Sequence, residues 1–176
     1  MIRRGIHPSA IVDILGQASI PETTILEPLT VITVGSEGRL LLGERNTLYP
    51  HVSIRIDKGW MTTGKEVSFG PGVSIYEPRA GLEIGDYCMI AGGVTICGVS
   101  HGAERTDIPM RQQAAIAGKI VLEDDVWLGM RVIVMPGVTI GRGAIIGAGS
   151  IVTRDIPPYT VAWGSPCVVQ RSRKDS

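Results

Sequence analysis

The 176 residues carry 17 Lys plus Arg against 17 Asp plus Glu, with no block of one sign, which argues against nucleic acid as the main partner. Hydrophobic residues make up 44% but aromatics only 5%, with a single Phe, so a thin core of aliphatic layers is expected rather than one built around rings. No apolar run is long enough to span a bilayer, and the start MIRRGIHPSA lacks an apolar signal core, so no transmembrane segment and a cytoplasmic location are expected. The odd set Cys88, Cys97 and Cys167 has no metal-type spacing and reads as reduced thiols.

In chain order, residues 1–13 form a lead-in segment without an assignable pattern. From there Ile14, Ile20, Leu26 and Ile32 recur every six residues, with Ala18, Thr24 and Thr30 in the fifth place of each hexad. The pattern slips at Ser36 to Arg39, where Gly35 and Gly38 predict a turn or short outward loop. It resumes at Leu42, Leu48 and Ile54, breaks through the polar Asp57 to Lys65, and returns at Phe69 and Ile75. After an EPRAG corner, Ile84, Ile90 and Ile96 continue it, and Cys88 falls in an inward fifth place. A long insertion, residues 98–119, follows.

Leu122 to Pro157 is then a perfect run of six hexads. Leu122, Leu128, Val134, Ile140, Ile146 and Val152 hold the first place; Val126, Val132, Val138, Ala144, Ser150 and Ile156 hold the fifth. A helix would repeat at 3.6 and a plain strand at 2. A strict six fits short strands separated by turns, stacked as a parallel β-helix. First-place side chains fill a narrow prism, and fifth-place ones sit nearer its corners. Three hexads make one triangular turn, so eighteen hexads predict about six coils over residues 14–157, with residues 158–176 as a short C-terminal extension whose basic tail packs outside.

Loops of more than about 12–15 residues in a compact domain are usually functional or disordered. This insertion carries His101 three residues past the end of a repeat, where its root is held rigidly. That is good placement for a catalytic group. His7 and His51 have no such setting.

The insertion with its early His, the EDDVWLG after it and the run VIVMPGVTIGRGAIIGAGSIVTRDIPPYTVAWGSP resemble the hexapeptide-repeat acyltransferases. More narrowly they are similar to the maltose, galactoside and capsular-sugar O-acetyltransferases. The resemblance runs from Ile84 to Arg171, while the N-terminal coils share only the repeat. It implies an all-β, left-handed parallel β-helix, acetyl-CoA as co-substrate with no metal, and a homotrimer with active sites between subunits. A sugar hydroxyl is the implied acceptor, in a surface polysaccharide or its precursor.

Residue by residue, His101 matches the family's catalytic histidine. An imidazole, titrating at about 6.5, suits removal of a hydroxyl proton at neutral pH. Trp127 matches a tryptophan near the active site and shapes the acceptor or pantetheine pocket, or packs the loop root. Gly129, Met130, Ala148, Thr153, Arg154 and Arg171 fall where CoA contacts fall, the two arginines as partners for its phosphates. Met130 replaces a small polar residue, and Trp163 stands where a small one is usual, to stack on adenine or to plug the prism. FGPGVSIYEPRAG lacks the asparagine that the maltose and galactoside branch carries about one coil before the histidine. Tyr76, Glu77 and Glu83 are the polar candidates for acceptor contacts there, or solvated corners.

Within this family the rival reading is transfer to an amine, on a nucleotide-linked amino sugar or a xenobiotic. A γ-carbonic anhydrase needs three histidine ligands, and the repeat region offers no spaced His pair. The helical region and acidic arm of serine acetyltransferases are missing as well. A non-catalytic hexapeptide scaffold is the reading from another class, and the His-bearing loop argues against it.

Overall fold

The computed structural model describes residues 5–174. Among them a single turn of 3-10 helix, Met110–Gln112, interrupts an otherwise all-β chain. The architecture is the left-handed parallel β-helix expected, with three faces. Face 1 stacks Ile25–Leu26, Thr47–Leu48, Ser68–Phe69, Met89–Ile90, Trp127–Leu128, Ile145–Ile146 and Thr160–Gly164, each parallel to the next. Face 2 runs from Ile11–Ile14 to Ile151–Val152, and face 3 from Gln17–Ser19 to Thr139–Ile140. Ile6 bridges Leu26 and Ile156 bridges Ile140. The stack therefore holds seven coils rather than six, and the first coil reaches back into the lead-in segment.

The hexad rule accounts for the core. All six first-place residues of the perfect run are at most 1% exposed, and so are five of its six fifth-place residues. Ser150, the polar one among them, is fully buried yet satisfied. Its hydroxyl donates to the Gly147 carbonyl (2.6 Å) and accepts from Gly164 N–H (3.1 Å). Asn46 plays a similar part lower down, donating to Thr63 Oγ1 (2.5 Å) and accepting from Val67 N–H (2.7 Å). Buried polar groups that find such partners avoid most of their desolvation cost.

Three expectations are corrected. The predicted loop at Ser36 to Arg39 lies inside one eleven-residue strand, Val31–Leu41. The predicted break at Asp57 to Lys65 lies largely inside a second, Ser53–Thr63. These two strands pair along their whole length with a register shift after Val34, so the extra residues are absorbed as a bulge that carries the chain round the corner between faces 2 and 3. Ala18, placed inward by the pattern, is exposed, because only one coil neighbours it. In the C-terminal extension, Cys167–Ser172 pairs antiparallel to Thr160–Gly164 and widens face 1.

Polar turns line the corner between faces 3 and 1. Arg45 pairs with Glu66 (2.5 Å), Lys65 with Asp86 (3.9 Å), Arg142 with Asp124 (2.7 Å) and Arg173 with Asp125 (3.4 Å), each joining neighbouring coils or the C-terminal hairpin. These are exposed pairs of small individual worth.

Candidate active site

Residues 98–119 leave the coil at the corner between faces 2 and 3. They do not leave it as free chain. Val99–His101 and Ala115–Ala117 form an antiparallel hairpin in which His101 lies opposite Ala115. Beyond it Gly102 N–H donates to the Ala114 carbonyl (3.0 Å). Gly102 is buried there, since a Cβ would lie 2.8 Å from that carbonyl oxygen. His101 itself is exposed. Side chains alternate across a strand, so His101 and Ala115 share one face of the hairpin and Ser100 and Ile116 the other. Ile116 lines a hollow of about 320 Å³ with Gly102, Glu104, Arg105 and Gln113, on the face away from the imidazole.

The loop root rests on residues of the coil before it. Gly98 N–H donates to the Tyr76 carbonyl (2.9 Å), and Tyr76, 46% exposed, stands beside Cys97 on face 2. Glu77 is 2% exposed, with a left-handed backbone (φ 49°). Its carboxylate meets Arg55 (3.4 Å) and Arg79 (3.3 Å) and accepts from Asp57 N–H (3.4 Å). Asp57 is held below the usual carboxylate range by the hydrogen bond from Arg55. Glu83 sits on face 3 and pairs with Lys119 (2.9 Å) at the other end of the loop; Lys119 also lies 5.6 Å from the Trp60 ring centre.

A different corner, between faces 1 and 2, carries a column of small residues. Gly129 N–H donates to the Ile146 carbonyl (2.8 Å), and Gly149 N–H to the Met130 carbonyl (2.8 Å). A Cβ on Gly129 would come 2.7 Å from Ala148 N, and one on Gly147 would come 2.8 Å from Trp163 Cβ. Below them Gly92 accepts from Arg131 N–H (3.0 Å). The result is a smooth coil edge from Gly92 through Gly129, Met130 and Ala148 to Trp163. Met130 is 60% and Trp163 46% exposed; Trp163 flanks the edge rather than plugging the prism. At its lower end the edge opens into a groove of about 310 Å³ lined by Tyr49, Ser68, Gly70, Met89, Gly92 and Trp127.

The expected site residues thus fall into separate groups on one chain. Gly129, Met130, Ala148 and Trp163 share the small-residue edge, and Trp127 stands at its foot. His101, Thr153 and Arg154 belong to the corner between faces 2 and 3, where Thr153 and Arg154 are exposed in the coil turn after Ile151–Val152. Arg171 lies on the last strand, opposite Val161. Tyr49, Ser68 and Met89 were not singled out from the sequence, although each immediately precedes or follows an inward first-place residue, and Ser68 and Met89 stand in register with Trp127. Among the described residues no group of three or more His, Cys, Asp or Glu could hold a metal ion, and no helix is long and apolar enough to cross a membrane.

Residues 119–154 match the family model for the bacterial transferase hexapeptide (six repeats). A galactoside O-acetyltransferase of Lactococcus lactis subsp. lactis is 41% identical over 118 residues, covering 64% of this chain and 56% of the relative. The chain spans about half the length of the curated relatives it matches. Among solved structures, a hexapeptide-repeat-containing acetyltransferase from Vibrio cholerae, complexed with acetyl coenzyme A, superposes with a TM-score of 0.56 at 28% identity, over 85% of this chain and 67% of that one. An N-acyltransferase from Bacillus cereus gives a TM-score of 0.68 over 86% of this chain and 85% of that one, and at 19% identity it shows the shared fold alone. Over residues 119–154 the chain carries the bacterial transferase hexapeptide repeat, built as a stacked β-helix, and it is similar to hexapeptide-repeat acetyltransferases.

Proposed function

We propose that the chain transfers an acetyl group from acetyl-CoA to a hydroxyl of a sugar, with His101 as general base. The observation that carries this reading is the pairing of two features of opposite kind. One is an exposed imidazole fixed at the end of a hairpin. The other is a coil edge of Gly and Ala that an extended amide chain can follow closely. The pantetheine arm of CoA is such a chain. Along that edge its amides meet backbone groups, with Trp163 and Arg171 at the far end for adenine and phosphate. The acetyl thioester then lies near Trp127.

In the reaction the His101 imidazole takes the proton of the acceptor hydroxyl as the oxygen attacks the thioester carbonyl. The tetrahedral oxyanion is stabilised by a backbone N–H beside the groove. Collapse breaks the C–S bond, and the imidazolium returns the proton to the leaving thiolate, so charge and protons balance. His101 and the edge occupy different corners of one chain. The reading therefore requires a second copy whose loop reaches the first copy's edge, and a homotrimer supplies three equivalent junctions. Glu77, already committed to Arg55 and Arg79, supports the loop root in this scheme; Tyr76 is the acceptor-side candidate that stays exposed. A carbohydrate acceptor is supported by the galactoside O-acetyltransferase relative and by aromatic side chains in the groove, which suit the C–H face of a pyranose.

The test is free-thiol release from acetyl-CoA with sugars, amino sugars and amines as acceptors. Wild type is expected to turn over a hydroxyl acceptor, and His101→Ala to lose roughly a hundredfold or more in kcat. Turnover confined to amines would replace O- by N-acetylation. Absence of any CoA-induced rise in Tm would return the chain to a scaffold role.

A further inference from the structure

The loop that bears His101 is closed by a side chain that the reaction scheme does not use. Gln113 follows the short Met110–Gln112 turn, and its backbone N–H donates to the Met110 carbonyl. Its side-chain amide then reaches across the loop. Gln113 Oε1 accepts from Arg105 N–H (3.1 Å), and Gln113 Nε2 donates to the Arg105 carbonyl (2.8 Å) and to the Ile108 carbonyl (3.5 Å). The pair with Arg105 imitates a rung of a β-ladder: one donor and one acceptor are exchanged between a side-chain amide and a peptide unit. It continues the ladder below it, in which His101 lies opposite Ala115 and Gly102 bonds to Ala114.

We infer that Gln113 is a positioning residue, which fixes the His101 end of the hairpin by closing residues 105–113 beyond it into one ring. This rests on the reading of His101 as base. The physical argument is one of entropy and reach. Without the rung, the chain from Gly102 to Gln113 keeps its base, the local turn bonds of Gln112 and Gln113 to Pro109 and Met110, and the ion pair Arg105–Asp107, which is exposed at both partners and so weak. Fraying would begin at the last backbone bond, Gly102 to Ala114, one residue from the imidazole. A displacement of about 1 Å at a reacting group can cost on the order of a hundredfold in rate. The amide type matters as well. Only a group with a donor and an acceptor on one plane completes both bonds to Arg105.

The experiment is a double-mutant cycle with acetyl-CoA and methyl galactoside, comparing wild type, Gln113→Ala, His101→Ala and the double variant. Gln113→Ala is expected to lower kcat roughly 10- to 100-fold while the KM for acetyl-CoA changes less than about twofold and Tm is unchanged, because the loop lies outside the coil. In the His101→Ala background the same substitution is expected to have no further effect, since a residue acting through another loses its influence when that other is gone. Gln113→Glu, which keeps the acceptor oxygen but not the donor, should fall between. Backbone amide exchange at Gly102 and Arg105 should quicken at least tenfold in Gln113→Ala, a readout that needs no turnover. Unchanged exchange, an unchanged kcat, or an equal loss in the presence and absence of His101 would each overturn the inference. His101→Ala with wild-type turnover would instead remove the base assignment itself.

Discussion

At the scale of single residues, the environment separates groups that look alike in sequence. Three carboxylates and an aromatic ring stand near the loop root, yet Glu77 is sealed between two guanidinium groups while Tyr76 faces solvent. Asp57, held down by Arg55, contributes stability that is present above the ordinary aspartate value of about 3.9 and is lost as pH falls through its lower folded value. The cysteines divide too. Cys88 is fully buried, donates to the Glu123 carbonyl (3.1 Å), and burial pushes its thiol up to about 11. At pH 8 roughly one in a thousand Cys88 side chains would be thiolate. Iodoacetamide should therefore leave Cys88 unmodified in the native protein and label it promptly in denaturant, as peptide mapping would register. Rapid native labelling would mean that this coil opens readily.

Single elements here are too short to be stable alone. Most strands of face 1 are two residues long, and their stability comes from neighbours above and below. Leu128, with no exposed surface, lies between Ile90 and Ile146 in the stack. Truncation to Ala should cost about 2–5 kcal/mol, seen as a lower midpoint in guanidinium unfolding. A loss below about 1 kcal/mol would indicate that the adjoining coils collapse into the gap. What the sequence allowed one to read follows the same division. The period of six placed Leu122 to Ile156 correctly because each inward position meets the same narrow wall. It failed at Ser36 and Asp57 because a bulge keeps inward residues inward, as with Leu40 and Met61, while breaking the count. The small-residue edge was half legible: Gly129 and Ala148 came from family likeness. Tyr49, Ser68 and Met89 were missed because outward positions obey no core rule, and only the stacking of coils brings them into one groove with Trp127. Gln113 left no signal, since nothing in sequence tells a strap from a solvated amide.

For the whole molecule, the loop and the coil edge stand at different corners, so the proposed reaction needs an assembly in which one copy's loop reaches another copy's edge. Sedimentation should find a trimer, and mixing His101→Ala subunits with subunits whose edge is blocked, as by Ala148→Trp, should restore part of the activity. Ala148 suits this because it is exposed on that edge, so a larger side chain there projects outward without meeting the stack. Two inactive parents and an inactive mixture would place both halves of the site on one chain.

The threefold division of each coil has a further consequence for how this chain can change. Position along it is a pair of coordinates, an angle counted in thirds of a turn and a height counted in steps of about 4.8 Å. From Gly92 through Met130 and Ala148 to Trp163 is three such steps, about 14 Å. Losing six residues below the loop would leave every later side chain pointing inward or outward as before. It would also swing the histidine hairpin, together with Gly129, Met130, Ala148 and Trp163, through a third of a revolution relative to the coils below the cut. Losing a whole coil from the same region would keep that phase and merely shorten the column. Deletions in this architecture are therefore tolerated by rotation number rather than by size.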